Sequence, residues 1–147
     1  MGILLYISLI MSIFLGEFWI KNRIEKSRNL PRQTRFILIR RYHNTCAMLN
    51  LGQGRRRVVA AVSVAFCAIT FIVFLLSLGR KGNRLLRMGL ALLLGGAFSN
   101  TYDRLKRKYV VDYFSFHVGW KPLRRIVFNL SDFCIITGAL LAALGTE

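Results

Sequence analysis

The stretch GGAFSNTYDRLKRKYVVDYFSFHVGWKPLRRIVFNLSD, residues 95–132, decides how the chain reads. It begins inside one apolar segment, leaves through a basic, aromatic loop and enters a second apolar segment. On the way it sets three carboxylates (Asp103, Asp112, Asp132) and two carboxamides (Asn100, Asn129) at or near the ends of those segments. The chain has six acidic residues, so half of them fall here. An Asp at the centre of an inserted helix costs about 2.5–3.5 kcal/mol, and less near its ends. Carboxylates kept at such a cost are functional candidates.

Outward from this stretch, 147 residues make one domain, 1–147. Hydrophobic residues are 54% of the chain and are clumped, which points to a membrane protein. Four segments, residues 3–20, 58–78, 85–102 and 126–144, are long enough to span a hydrocarbon layer of about 30 Å. The expected fold is an all-α integral membrane protein, a four-transmembrane-helix bundle with a small extended or β surface segment between the first two helices. The first segment has no basic residue before it and no A-x-A cleavage pattern after it, so it reads as a retained helix. The net charge of +16 concentrates in the connections, as in RRR (55–57) and RLKRK (104–108). Anionic lipid headgroups are the expected partner, and nucleic acid is not. Cys46, Cys67 and Cys134 form no metal pattern, and two histidines are too few for a metal site on His117.

Glu17 and Lys21 are four apart and share a helix face, either as an ion pair or as an interfacial helix end with a snorkelling Lys. Residues 36–42 are β-branched and aromatic enough for a strand, and residues 46–49 are apolar and closed by Gly52 and Gly54. A small β-structure on the membrane surface fits, as does an irregular amphipathic segment. The second helix reads as scaffold. In the third, Gly89, Gly96, Asn100 and Asp103 lie along one stripe whose small residues admit another helix closely. KYVVDYFSFHVGW reads as an extended interfacial segment, where a lone Asp112 is more commonly a solvated loop carboxylate. Asn129 and Asp132 share a face one to two turns inside the last apolar run. Asp132 is therefore expected as an intramembrane carboxylate in need of a partner rather than as part of a helix cap.

In order and in spacing these residues resemble the lipoprotein signal peptidase (signal peptidase II) family. Glu17 and Lys21 stand at its D-x-x-x-K, and Asn44-Thr45-Cys46-Ala47 at its N-x-G-A. Gly96, Asn100, Asp103 and Arg104 match G-x-x-x-N-x-x-D-R; Val111-Asp112-Tyr113 matches V-D-F; Phe128-Asn129-Leu130-Ser131-Asp132 matches F-N-x-A-D. The last three blocks are highly specific together. The resemblance implies an aspartyl endopeptidase that removes signal peptides from lipidated prolipoproteins, cutting before the diacylglyceryl-modified Cys, with Asp112 and Asp132 as the catalytic dyad. Asn44, Gly96, Asn100, Asp103, Arg104 and Asn129 would support the site, with Glu17 and Lys21 bracing the first helix. Arg104 can hold a supporting carboxylate or bind a phosphate. Neighbouring carboxylates share a proton, so one can activate water while the other protonates the carbonyl oxygen, without metal, cofactor or covalent intermediate.

Several positions depart from the pattern: Cys46 for Gly, Met48-Leu49 for small and aromatic residues, Glu17 for Asp, Ser99 for Gly and Ser131 for Ala. They imply a divergent member. The resemblance also implies a multi-pass protein of the bacterial cytoplasmic membrane, with the active site towards the outer face. Charge counting implies the reverse: residues 22–57 carry ten Lys/Arg and residues 104–125 seven, against four in 79–87. We follow the resemblance, because a lipidated Cys is presented near the outer surface. Two other readings are a non-enzymatic membrane protein that binds anionic lipid or a protein partner, and a paralogous peptidase with another membrane-anchored substrate.

Overall fold

The computed structural model describes residues 2–46, 54–79, 82–117 and 119–146. The elements run α1 (Ile3–Lys26), β1 (Arg32–Gln33), β2 (Ile37–Asn44), α2 (Arg56–Leu78), α3 (Arg84–Lys106), β3 (Val110–Phe116), α4 (Lys121–Arg125) and α5 (Leu130–Leu144). By length and composition, α1 and α2 can each cross a membrane. Both turn large apolar side chains outward, with Leu4 78%, Leu15 53%, Ile69 62% and Leu76 68% exposed. Apolar area on this scale costs about 25 cal/mol per Å² against water, a cost that lipid removes. The fold is mostly helical, with these two apolar helices and one small sheet.

Helix α3 is built differently. It lies in contact with α1, α2 and α5, and Leu90, Ala91, Leu94 and Ala97 are buried along it. Glycines on α3 and α5 set how close these two helices come. A Cβ on Gly96 would stand 2.5 Å from the Ser131 carbonyl oxygen, and one on Gly138 would stand 2.5 Å from the Leu93 backbone nitrogen. Backbone therefore meets backbone along the α3–α5 seam, as small residues allow. The seam is where the glycine stripe of the sequence points.

The sheet has the order β1-β2-β3, antiparallel throughout. It is not confined to the connection between the first two helices, because β3 follows α3 in the chain. The expected strand at 36–42 is observed as Ile37–Asn44. Residues 47–49, which include Ala47 of the N-x-G-A block and the Met48-Leu49 departure, lie outside the described residues. Register shifts between Ile39 and Tyr42, since Ile39 pairs with Phe114 whereas Tyr42 pairs with Asp112. One extra residue on β2 makes a bulge, which twists the strand and re-aims the side chains beyond it. Past the bulge, Asn44 pairs with Val110, two residues from Asp112 and diagonally within reach of it.

The start of the last helix differs from the sequence expectation. The apolar run opens at residue 126, yet Phe128 is still extended: its N–H donates to the Phe114 carbonyl at 2.7 Å and its carbonyl accepts from Phe114 N at 3.0 Å. β-branched Ile126 and Val127 suit that conformation. Asn129 then caps α5, which at 15 residues spans about 22 Å. Asp132 thus lies in the first helical turn, and one apolar run holds a strand-like entry followed by a helix.

Candidate active site

Asp112 sits in mid-strand on β3, 1% exposed. Its Oδ2 accepts from Asn44 Nδ2 at 2.9 Å and its Oδ1 from Asn129 Nδ2 at 2.7 Å. Asp132 sits at the third position of α5 and is partly exposed. Its Oδ1 accepts from Asn100 Nδ2 at 3.0 Å, and its Oδ2 from the backbone N–H of Asn129 at 3.0 Å. Every carboxylate oxygen of the pair therefore has one donor. Burial without such donors would cost several kcal/mol per group.

The three carboxamides are themselves oriented. Asn44 Oδ1 accepts from Cys46 N at 3.0 Å, which turns its amide towards Asp112. Asn129 Oδ1 accepts from Asp132 N at 3.0 Å, half of a capping box with Asp132. Asn100 Oδ1 accepts from Lys21 Nζ at 2.9 Å, which leaves its amide facing Asp132. The sequence expectation that Asp132 stands apart from a cap is overturned: it is both a cap residue and a wall of the site. Capping and lining are compatible because each uses a different oxygen.

Asp112 and Asp132 line one cavity of about 200 Å³ together with Asn44, Asn100 and Arg104, closed by apolar side chains that include Ile126 and Ile135. Burial, then the charge of Asp132, pushes the Asp112 carboxyl up to about 7, against the lowering effect of the Asn44 and Asn129 hydrogen bonds. Arg104 donates through Nη2 to the Cys46 carbonyl at 3.3 Å, while its buried Nε has no hydrogen-bond partner among the described residues. Among those residues, no three His, Cys, Asp or Glu side chains come together as a metal ligand set.

A second layer stands behind this wall. Glu17 and Lys21 are 0% and 1% exposed, so the snorkelling alternative fails. Lys21 Nζ lies 3.4 Å from Glu17 Oε2 and 3.1 Å from Asp103 Oδ2, and it also donates to Ser99 Oγ at 2.9 Å. Asp103 is turned away from the cavity. It accepts from Val111 N at 3.2 Å, holding the start of β3, and pairs with Arg107 Nε at 3.0 Å. Beside Lys21, the arginine on this supporting carboxylate is thus Arg107 rather than Arg104. Four residues on, Arg107 returns to the face of Asp103, whereas Arg104 points about 100° away. Gly96 lies under Ser131 at the seam, where its missing Cβ admits α5.

Sequence reasoning gave no site role to four residues that the structure places in this layer: Arg107 on Asp103, Ser99 on Lys21, and Tyr113 and Ser131 on Glu17. For Arg107 the i,i+4 spacing from Asp103 was a usable signal. For the others no local signal exists, because their partners lie 78 or more residues away or across α5.

The profile of the signal peptidase (SPase) II family matches residues 6–146. A protein of Clostridium acetobutylicum described as a lipoprotein signal peptidase is 30% identical over 133 residues, covering 88% of this chain and 82% of that one. One of Clostridioides difficile with the same description is 28% identical over 145 residues, covering 96% and 93%. A solved bacterial membrane enzyme aligns at a TM-score of 0.77 and 18% identity, covering 98% of this chain and 93% of that one, a likeness of fold. With the matched profile spanning nearly its full length, the chain belongs to the signal peptidase II family.

Proposed function

We propose that this protein is an aspartyl endopeptidase that removes signal peptides from lipidated prolipoproteins, cutting before the diacylglyceryl-modified Cys, with Asp112 and Asp132 as its catalytic dyad. One observation carries the reading: two aspartates from separate elements line a single cavity, with every carboxylate oxygen held by an amide donor. Like charges at this proximity favour one shared proton. Deep burial makes Asp112 a favoured seat for it near neutral pH. In this reading the ionised member takes a proton from a water placed between the pair as that water attacks the scissile carbonyl. The protonated member donates to the carbonyl oxygen, and the proton passes to the leaving nitrogen as the C–N bond breaks. Asn44, Asn100 and Asn129 hold the dyad, and Arg104 supplies positive charge in the cavity wall.

Four membrane crossings are part of this reading. Helix α3 has the length, and the apolar α5, though short, follows an apolar extended entry that adds to its reach. So is a bacterial inner-membrane location with the dyad towards the outer face, where a lipidated Cys is presented; anionic lipid contacts the basic connections. The test is cleavage of a diacylglyceryl-modified prolipoprotein by purified protein in detergent, followed by size shift. Wild type is expected to cleave, and Asp112→Asn and Asp132→Asn are expected to lose at least 10³-fold in rate, as removal of an acid–base group does. Equal cleavage by all three would overturn the assignment.

A further inference from the structure

Glu17 touches neither aspartate, yet each of its oxygens is bonded to a chain neighbour of one of them. Tyr113, directly after Asp112, donates from Oη to Glu17 Oε1 at 2.6 Å. Ser131, directly before Asp132, donates from Oγ to Glu17 Oε2 at 2.8 Å. The Tyr113 hydroxyl also accepts from the N–H of Leu130, the first residue of α5, at 3.0 Å. Burial, then the adjacent Glu17, raises the Tyr113 phenol above its ordinary range, so it stays protonated and keeps donating. Glu17 and Ser131 are wholly buried and Tyr113 is 9% exposed, so water does not substitute for these bonds.

The three partners, Glu17, Tyr113 and Ser131, stand where the resembled motifs carry Asp, Phe and Ala. They are scattered over 114 positions of sequence but converge on one carboxylate. The match is chemical. Phe and Ala carry no hydroxyl, and the extra methylene of Glu gives the carboxylate the reach to take a bond from each side. We propose that Glu17 is a positioning residue, a clip that fixes β3 against the start of α5 through Tyr113 and Ser131 and thereby sets the mutual placement of Asp112 and Asp132. This rests on the dyad reading of the active site. Lys21 lies against the same carboxylate at 3.4 Å, and Asp103 lies on the far side of Lys21 at 3.1 Å.

A clip cut at one end is already open, and that gives the test its form. Cleavage kinetics against pH are compared for wild type, Tyr113→Phe, Ser131→Ala and the double variant, with thermal midpoints beside them. Each single change is expected to lower kcat about tenfold, leave KM within about twofold and displace the pH optimum. The double is expected to be no worse than about twofold below the weaker single. Multiplying losses, near a hundredfold in the double, would mean two independent packing effects and would overturn the clip. So would a lowered midpoint with an unmoved pH profile. In parallel, ¹³C NMR titration of the Asp112 carboxyl in micelles needs no turnover. Ser131→Ala, on the other side of the clip, is expected to move it, and an unmoved titration would also overturn the proposal. Failure of the dyad reading shows separately, as cleavage that survives Asp112→Asn and Asp132→Asn.

Discussion

Gly96→Ala adds one methyl group at the α3–α5 seam, and the structure gives its size in distances. The new Cβ would stand 2.5 Å from the Ser131 carbonyl oxygen, 3.0 Å from Ile135 Cγ1 and 3.2 Å from Cys134 Cβ. The carbonyl is helix backbone and cannot swing aside. To reach ordinary contact at 3.4 Å, the two helices must part by about 0.9 Å at this level. Asn100 lies one turn along α3 from Gly96 and donates to Asp132 at 3.0 Å, so the same displacement carries that bond beyond hydrogen-bonding range. A misplacement near 1 Å costs on the order of 10² in rate. Overpacking costs about 1–3 kcal/mol in stability. The assay is steady-state cleavage of a diacylglyceryl-modified prolipoprotein, with a thermal midpoint, for wild type, Gly96→Ala and Gly89→Ala. Gly89 faces Ala142 and Gly138 at the far end of the seam, about 10 Å away along α3. It is expected to lose comparable stability but under tenfold in kcat. Wild-type kcat and midpoint for Gly96→Ala would refute the close seam. Equal kcat losses at both glycines would refute the local coupling of the seam to the dyad.

The buried charges give two further outcomes. Lys21→Met removes the cation shared by Glu17 and Asp103 and releases Asn100, so a loss of about 3–5 kcal/mol is expected, as for a broken buried pair. Glu17→Gln/Lys21→Met is expected to recover part of that midpoint, and a double variant less stable than Lys21→Met would count against the pairing. Asp112 rises from 3.8 unfolded to about 7 folded, so the folded state binds the extra proton between those values. Its contribution is fully present below pH 3.8 and is lost as pH climbs to about 7, on the order of 4 kcal/mol at 1.36 kcal/mol per pK unit. Thermal midpoints from pH 4 to 8 should therefore fall less steeply in Asp112→Asn than in wild type, and parallel curves would refute the raised carboxyl.

Much of the design was legible in sequence, because it is written in local periodicity and composition. Apolar runs gave the helices α1 and α2 and most of α3, β-branched and aromatic runs gave β2 and β3, and the glycine stripe pointed to the helix seam. The i,i+4 spacing put Glu17 and Lys21 on one face; the grouping of Asn44, Asn100, Arg104, Asp112, Asn129 and Asp132 as a set came instead from the resemblance to the signal peptidase II motifs. The periodicity signals depend on the chain near each residue, so the sequence carries them whole. The tertiary structure alone decided what depends on distant partners. Hydrophobicity is the same whether a run is extended or helical, so residues 126–144 read as one span until Phe128 was seen pairing with Phe114. Asp112 looked like a solvated loop carboxylate and proved the more buried of the pair, since its burial comes from Asn44, Asn129 and the walls around them. Likewise, Glu17, Tyr113 and Ser131 are scattered single positions in sequence. Only folding brings their hydroxyls and carboxylate within hydrogen-bonding distance, because the partners are 96 and 114 residues apart in the chain.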